Sequence, residues 1–313
     1  MVTGFVFPGQ GAQSPRMLQS LRGYGIEVSS VFEAVSEGCG FDVENLIEKA
    51  TGDILSRTEY TQLVMFSMDV AYHKIIQEIG IKPAWVAGHS LGQYAALVAS
   101  GALDLYETSI LLKERSRLMN EVKMQGRMCA VSSVTMDTEA IGRLCEKIRS
   151  TRGECISTAL YNSRNQIVVG GTPEAIGTFS NHLGGMENYK VKVLPVGQAF
   201  HTPIMDEMMA QFKEHIDRIG IQKPSIPVIL NCTGELLDME GFEEELRKEM
   251  LRQCNCPVQW VKTMETMAEL GTKAVIEIGP GRTLCGFMKS AARTVKAYHA
   301  EDRKSIEKLA KAV

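Results

Sequence analysis

One stretch in the first third of the chain constrains the fold more than any other. Residues 84–87 form a short apolar run, and Gly88-His89-Ser90-Leu91-Gly92 follows directly. A segment rich in Ala and Leu comes next and ends at Gly101. The apolar run is typical of a buried parallel strand, and the segment after the turn is typical of a helix. Strand, sharp turn and helix are the context in which a Gly-x-Ser-x-Gly turn presents its serine as a nucleophile.

Each position of this turn has a physical role in that interpretation. Ser90 would be held in strained backbone geometry with its hydroxyl exposed. Glycine suits positions 88 and 92, because a side chain there would clash where the strand and the helix approach each other. The amide of Leu91 would open the helix and point towards the negative charge that develops on an attacked carbonyl. An ordinary strand-to-helix turn is the alternative, since Gly and Ser are common in turns.

Composition narrows the class of protein and its partners. The 313 residues are 44% hydrophobic with a net charge of -3, which suffices for one large domain or two unequal ones. A nearly neutral chain gives no reason to expect nucleic acid as a partner. No apolar run reaches membrane-spanning length and no signal peptide is recognisable, so we expect no membrane association and a cytoplasmic location. The eight cysteines lack zinc-ligand spacing, so we expect free thiols and no metal, with Cys254 and Cys256 structural.

A glycine-rich loop follows the first predicted strand, which covers residues 2–7. The loop is Pro8-Gly9-Gln10-Gly11-Ala12-Gln13, and it lacks the Lys-Ser/Thr ending of a phosphate-binding loop. A loop after a parallel strand lies at the carboxyl edge of the sheet, where ligands bind. This loop could therefore supply a backbone amide near Ser90, and a plain turn is the equal alternative.

Arg115 is the most informative charge in the chain. A helix is predicted from Asp104, with Glu107 three residues later in a capping-box pattern. At about 100° per residue, Arg115 lies at the centre of an apolar stripe. That stripe consists of Leu111, Leu112, Leu118, Met119 and Val122. A buried guanidinium keeps its charge and needs an anionic partner, which is either an Asp or Glu of the chain or a substrate carboxylate. Gln62, near the start of a helix predicted over 61–79, faces either the same site or solvent.

From Arg127 the pattern changes to β-α-β-β-α-β, the order of a ferredoxin-like unit. The predicted strands cover residues 128–134, 155–161, 166–170 and 189–196, and the helices cover 138–150 and 173–182. A larger pattern then resumes, with strands predicted at 224–231 and 274–278 and a helix starting within 255–260. The predicted fold class is α/β. A large subdomain (1–126 and 197–313) with a short parallel sheet is interrupted by a small α+β subdomain (127–196).

Ser90 needs a base at neutral pH, and the chain has six histidines. His89 is a poor direct base, because neighbours on a sharp turn point apart. Three others lie within predicted helices, namely His73, His182 and His215. His299 would suit the order of an ordinary α/β-hydrolase, in which the base comes last. His201 lies in a loop after a strand, which is the better place for a catalytic group.

Together these residues resemble the malonyl-CoA:acyl-carrier-protein transacylases of fatty acid and polyketide synthesis. The matching segments span the whole chain, and their order and spacing are highly specific. They are residues 7–13, 88–93, Arg115 with Met119, 162–163 with 166–169, 199–203, 257–260 and 277–281. The resemblance implies an α/β-hydrolase-like large subdomain interrupted by a ferredoxin-like small one.

The resemblance also implies roles for the catalytic residues. Ser90 would be the nucleophile and His201 the base. The backbone carbonyl of Gln253, rather than an Asp, would orient the histidine. The amides of Gln10 and Leu91 would form the oxyanion hole.

For the substrate, the resemblance implies that Arg115 holds the free carboxylate of a malonyl group. Phe200 would lie against the carbon between the two malonyl carbonyls, and Asn162 beside the pocket, with Gln62 a further candidate. The implied reaction transfers malonyl from malonyl-CoA to the phosphopantetheine thiol of an acyl carrier protein, through an ester on Ser90. We expect a monomer that needs no cofactor.

Three positions depart from the family pattern. Gln93 stands where Glu is usual, Cys256 where Asn is common, and Arg16 where Gly is usual. The first two should alter polar contacts near the site, whereas Arg16 is expected on the surface.

Three other functions compete with malonyl transfer. A hydrolase of the same family that clears acyl groups from carrier proteins generally lacks the buried arginine. A patatin-like lipase would pair its serine with an Asp. A non-catalytic docking module would not need both Ser90 and His201.

Overall fold

The computed structural model describes residues 1–13, 16–55, 57–291, 294–301 and 303–311. Its strands are β1 (Thr3–Phe7), β2 (Trp85–Gly88), β3 (Arg127–Ser132), β4 (Ile156–Ser163), β5 (Gln166–Gly171), β6 (Lys190–Val193), β7 (Val228–Ile229), β8 (Ala274–Glu277) and β9 (Lys296–His299). A five-stranded parallel sheet has the order β7-β2-β1-β8-β9, and a four-stranded antiparallel sheet has the order β4-β5-β3-β6. The chain thus builds two sheets, one parallel and one antiparallel.

Helices cover both sheets. They are α1 (Met17–Arg22), α2 (Ser29–Cys39), α3 (Val43–Lys49), α4 (Gly52–Leu55), α5 (Thr58–Glu78), α6 (Gly92–Ala99), α7 (Leu105–Glu121), α8 (Thr138–Arg152), α9 (Pro173–Gly184), α10 (Asp206–Arg218), α11 (Phe242–Arg252), α12 (Trp260–Glu269), α13 (Thr283–Ala291) and α14 (Arg303–Ala310). None of the helices in the described part of the chain has the length and apolar character needed to cross a membrane.

The parallel sheet is buried on both faces, as parallel sheets usually are. Along β1, Phe5 and Phe7 pack into the larger apolar cluster, whereas Val6 packs into a second cluster on the opposite face. This alternation follows from the two-residue period of a strand. Phe7 pairs with Gly88, so β1 and β2 end side by side. The glycine-rich loop and the turn that carries Ser90 therefore emerge at the same edge of the sheet.

The antiparallel sheet has the strand order of a ferredoxin-like unit, as predicted. Helices α8 and α9 pack on it through a separate apolar cluster that includes Ile141, Ile176 and Phe179. The loop after this sheet leads to Phe200 and His201, and a 3₁₀ turn at Pro203–Met205 precedes α10. Every strand of the antiparallel sheet falls between Arg127 and Val193. The predicted boundaries at 126/127 and 196/197 stay predictions.

At the edges of the parallel sheet, one strand was predicted too long and the other was missed. The strand predicted over 224–231 is reduced to the two residues of β7, because Pro224 and Pro227 have no amide hydrogen to donate to a ladder. Strand β9 was not predicted, and it is an edge strand that begins with the exposed Lys296. The predicted helix within 255–260 begins at Trp260.

Candidate active site

The turn after β2 has the strained geometry expected of a nucleophile turn. Ser90 adopts a φ of +53°, in the left-handed region that non-glycine residues rarely occupy. A Cβ atom at Gly88 would lie 2.0 Å from the backbone carbon of Gly92, and one at Gly92 would lie 2.1 Å from the carbonyl oxygen of Phe7. Glycine is therefore required at both positions, because strand and helix approach too closely for any side chain.

His201 is the histidine that the structure brings to Ser90. Its Nε2 atom lies 2.7 Å from Ser90 Oγ, and its Nδ1 atom lies 2.6 Å from the carbonyl oxygen of Gln253. A carbonyl oxygen only accepts hydrogen bonds, so Nδ1 carries the proton and Nε2 is left to accept one from the serine. His201 also has a left-handed φ of +60°, and its amide donates to the carbonyl of Cys254 at 2.9 Å. The pair is therefore arranged for proton transfer from Ser90 to His201.

The surroundings of His201 keep its ring neutral. Burial, and then the positive charge of Arg115, lower the pKa of His201 to about 3. The hydrogen bond to the carbonyl of Gln253 acts in the opposite direction but does not offset the burial. A neutral imidazole is the form that can accept a proton from a hydroxyl.

The two other histidines considered for this role lie elsewhere. His299 is the last residue of β9, and its Nδ1 atom is buried without a hydrogen-bond partner in the described part of the chain. His89 points away from the Ser90 hydroxyl, and its Nε2 atom lies 2.8 Å from Asn162 Oδ1. Its ring also packs edge-on against Trp260. His89, the residue after β2, thus links the end of that strand to Asn162 in β4 of the antiparallel sheet.

Arg115 is buried with neutral partners only. Its Nη1 donates to Gln62 Oε1 at 2.6 Å and its Nη2 to Gln253 Oε1 at 3.1 Å, while Nε is buried without a partner. The guanidinium carbon lies 5.4 Å from the centre of the Tyr94 ring. Among the described residues, no carboxylate lies within ion-pair distance of Arg115, which is 3% exposed. The structure therefore does not supply the internal salt bridge that was one of the two alternatives.

The candidate residues converge on one small pocket. It is lined by Gln10, Gln62, Ser90, Leu91, Arg115, Met119, Phe200 and His201. A neighbouring cleft of about 310 Å³ shares Gln10 and is lined by Asn162, His89 and Phe287 among others. Within the described part of the chain, the amides of Gln10 and Leu91 donate no hydrogen bond. Both amides are thus free to bind an oxygen at the pocket.

Sequence reasoning missed Asn231, which holds the nucleophile turn from behind. Its Oδ1 atom accepts a hydrogen bond from the amide of Ser90 at 2.7 Å, and its Nδ2 atom donates to the carbonyl of Gly88. The position carried a usable signal, because Asn231 is the last residue of the strand predicted over 224–231 and so falls at the same carboxyl edge as Ser90.

The three departures from the family pattern have different surroundings. Gln93 is buried and accepts a hydrogen bond from Gln253 Nε2 at 2.8 Å. Cys256 is half-buried, and its thiol contacts the side chain of Asn255 at 3.4 Å. Arg16 is exposed, as predicted. All eight cysteines are free.

The fold and this arrangement of a serine, a histidine and a buried arginine belong to an acyltransferase. A family model described as the acyl transferase domain matches residues 4–311 of the chain. The match covers both the parallel and the antiparallel sheet.

Comparison with individual proteins shows which kind of acyltransferase the chain resembles. The chain is 31% identical over 294 residues to the malonyl CoA-acyl carrier protein transacylase of Escherichia coli O157:H7, and the match covers 94% of each protein. The crystal structure of malonyl-CoA:acyl carrier protein transacylase from Xanthomonas oryzae pv. oryzae is similar with a TM-score of 0.92 at 30% identity, over 100% of this chain and 99% of that one. A malonyl-transacylase in complex with a type II PKS acyl-carrier protein gives a TM-score of 0.93 at 29% identity, over 100% of both chains. The chain therefore belongs to the malonyl-CoA:acyl-carrier-protein transacylase family, and its predicted fold class is confirmed.

Proposed function

We propose that this protein transfers the malonyl group of malonyl-CoA to the phosphopantetheine thiol of an acyl carrier protein, through an ester on Ser90. The observation that carries the proposal is the buried Arg115, whose partners are all neutral and which lines the same pocket as Ser90 and His201. A planar guanidinium binds a carboxylate through two parallel charge-assisted hydrogen bonds. The names of the relatives support the same substrate and the same partner.

The first half-reaction forms the ester. His201 Nε2 takes the proton of Ser90 Oγ as the oxygen attacks the thioester carbonyl. The oxyanion of the tetrahedral intermediate is stabilised by the amides of Leu91 and Gln10. The intermediate then collapses with cleavage of the C–S bond, and the proton on His201 passes to the departing CoA sulfur.

The second half-reaction runs the same steps with another thiol. The phosphopantetheine thiol of the carrier protein gives its proton to His201 and attacks the ester carbonyl. When the C–O bond breaks, Ser90 recovers its proton from His201. The chemistry is carried by the protein's own side chains and amides in both halves.

A bound malonyl group would also strengthen the base. The positive charge of Arg115 is one cause of the lowered pKa of His201. A carboxylate paired with Arg115 offsets that charge, so the pKa of His201 rises when the substrate is bound. Acyl groups without a carboxylate lack this effect. Phe200, which lines the pocket beside His201, would restrict branching at the carbon between the malonyl carbonyls.

Intact-protein mass spectrometry with malonyl-CoA tests the proposal. We expect the protein to gain one stable malonyl group, to lose it when a carrier protein with its phosphopantetheine arm is added, and to gain none in the Ser90→Ala variant. Release of free malonate without a persistent ester would favour the carrier-clearing hydrolase of the same family. Malonylation of Ser90→Ala at another residue would contradict the assignment of the nucleophile.

A further inference from the structure

A buried carboxylate behind the pocket has no part in the steps above. Glu249 lies on α11, on the face that it shares with Leu246 and Met250, and it is 4% exposed. Its Oε1 atom accepts hydrogen bonds from the amides of Asn231 at 2.6 Å and Cys232 at 2.9 Å. The same oxygen accepts one from Gln93 Nε2 at 3.3 Å. Three donors from two segments of chain thus meet at one buried oxygen.

One arm of this network leads to the nucleophile. Glu249 holds the amide of Asn231, and the side chain of Asn231 accepts from the amide of Ser90 and donates to the carbonyl of Gly88. Both flanks of the strained turn are therefore tied to one asparagine. Gln253 Nε2 also donates to the carbonyl of Ser90 at 2.8 Å. Because Ser90 has an unfavourable φ, the turn depends on these outside contacts to keep its shape.

The other arm leads to the arginine. Gln93 donates to Glu249 and accepts from Gln253 Nε2 at 2.8 Å. Gln253 in turn presents its Oε1 atom to Arg115 Nη2 at 3.1 Å. A carboxylate oxygen can only accept and a guanidinium can only donate, so the two ends of this chain set the orientation of both amides between them.

The same chain explains how Arg115 is buried without being neutralised. A carboxylate in direct contact would pair with the guanidinium and compete with an acyl carboxylate for it. A guanidinium with no anion nearby would be costly to bury. With the two neutral amides of Gln93 and Gln253 between them, Glu249 provides a countercharge without contacting Arg115, and the pocket side of Arg115 stays open to a ligand.

We propose that Glu249 is a positioning residue for acyl transfer, which holds the Ser90 turn through Asn231 and holds Arg115 through Gln93 and Gln253. The second arm rests on the proposed function, since it concerns the binding of an acyl carboxylate. The first arm does not, because it concerns the reactivity of Ser90 towards any electrophile.

The test compares Glu249→Gln with Glu245→Gln. Glu245 lies one turn earlier on α11 and accepts from the amide of Asp238, away from the pocket. The readouts are the rate at which an uncharged fluorophosphonate labels Ser90, and KM and kcat for malonyl-CoA. Loss of the charge weakens the charge-assisted bonds, so we expect Glu249→Gln to slow labelling and to raise KM about tenfold each. Glu245→Gln should match the wild type in both.

A double substitution separates positioning from general packing. The double variant combines Gln93→Glu with Glu249→Gln. The side-chain oxygen at position 249 still accepts from the amides of Asn231 and Cys232, and its new NH₂ group donates to the new carboxylate at position 93. That carboxylate still accepts from Gln253. We expect the double variant to recover most of the labelling rate and KM, and Gln93→Glu alone, which places two carboxylates in contact, to be worse than the double variant.

Two results would overturn the proposal. One is a Glu249→Gln variant that behaves like Glu245→Gln in both readouts. The other is a double variant no better than either single one.

If Glu249→Gln does not fold, the double variant, which keeps every donor and acceptor, carries the test by itself. If the wild type does not use malonyl-CoA, the proposed function fails, and the labelling rates still decide the arm to Ser90.

Discussion

At the scale of single residues, the main feature of the site is the positive charge of Arg115, which has no carboxylate in direct contact among the described residues. Arg115 has hydrogen bonds to two amide oxygens and stacks near the ring of Tyr94, so it is held in place without losing its charge. An uncharged acyl group would leave this cation buried and unpaired. A carboxylate would pair with it at the pocket that contains Ser90.

We therefore expect that replacing Arg115 changes which acyl groups are accepted. We expect Arg115→Ala to lose malonyl transfer by on the order of 10²-fold or more, and to gain activity with acetyl-CoA relative to malonyl-CoA. Arg115→Lys should recover only part of the loss, since an ammonium lacks the planar fork of the guanidinium. The measurement is the transfer rate from both thioesters to one carrier protein. An Arg115→Ala variant that keeps its malonyl preference would show that the carboxylate is bound elsewhere.

The lowered pKa of His201 predicts an unusual pH profile. Because the pKa of His201 is lowered to about 3, the ring stays neutral in mildly acidic solution. Labelling of Ser90 by an uncharged fluorophosphonate should therefore stay constant from about pH 8 down to about pH 5, without the inflection of an unperturbed histidine near pH 6.5. Arg115→Ala removes a positive charge, so it should raise the pKa of His201 and move the inflection to higher pH. An inflection near pH 6.5 in the wild type would contradict the burial argument.

At the scale of secondary-structure elements, the site depends on how closely β1, β2 and α6 approach each other. The first turn of α6 lies against the carbonyl of Phe7, and the free amide of Leu91 belongs to that turn. A displacement of the helix would move this amide relative to Ser90. Under the proposed mechanism, a shift of α6 relative to β2 should therefore change the rate of Ser90 acylation.

Gly92→Ala tests this dependence. The new methyl group would lie 2.1 Å from a backbone oxygen, so α6 must shift, and we expect both a lower Tm and a strong loss of Ser90 acylation. Gly142→Ala on α8 is the matched control, because a Cβ there meets nothing within 4 Å. The control should gain about 0.5–1 kcal/mol of stability, as expected for a helical glycine. Thermal melts and malonyl-ester formation measure both effects.

The elements differ in how far the sequence predicts them. The turn at Ser90, the helix around Arg115 and the β-α-β-β-α-β order were predictable, because local periodicity and turn residues specify them. Edge strands β7 and β9 were not, since their pairing depends on neighbours far away in the chain. Two members of the polar network behind the pocket, Asn231 and Glu249, were also missed. Besides the position of Asn231, its local signal is Glu249, which lies three residues after the buried Leu246 on the same helix face.

At the scale of the whole molecule, one buried group links stability to pH. Asp69 on α5 is fully buried, and neither of its carboxyl oxygens has a hydrogen-bond partner in the described part of the chain. It lies where α5 meets Gly279, the loop after β8. Burial, and then the charge of Glu277, raise the pKa of Asp69 well above its usual range. The folded protein therefore keeps this carboxyl protonated at a pH where the unfolded chain ionises it.

The sign of the effect follows from the raised pKa. As pH rises above about 4, the unfolded state releases a proton that the folded state retains, so the free energy of unfolding falls by up to about 1.4 kcal/mol per pH unit until the folded pKa is reached. Asp69→Asn removes this dependence. We expect the variant to gain stability over the wild type as pH rises from 5 to 8, measured by urea unfolding. Glu78→Gln, at the exposed end of α5, is the control and should show no such gain. If the difference in unfolding free energy between Asp69→Asn and the wild type does not change with pH, Asp69 does not link stability to pH.

The residues of the site lie far apart in the sequence, so the site is completed late while the chain is being synthesised. Ser90 is made early, whereas the carbonyl that orients its base belongs to Gln253, about four fifths of the way along the 313 residues. The antiparallel sheet lies between them, and all of its strand partners come from the continuous segment 127–193, so its pairing does not need residues made later. A nascent chain thus carries a serine without a working base until most of the protein has been translated. The reactive centre is therefore complete only after the residues up to Gln253 have been made and folded.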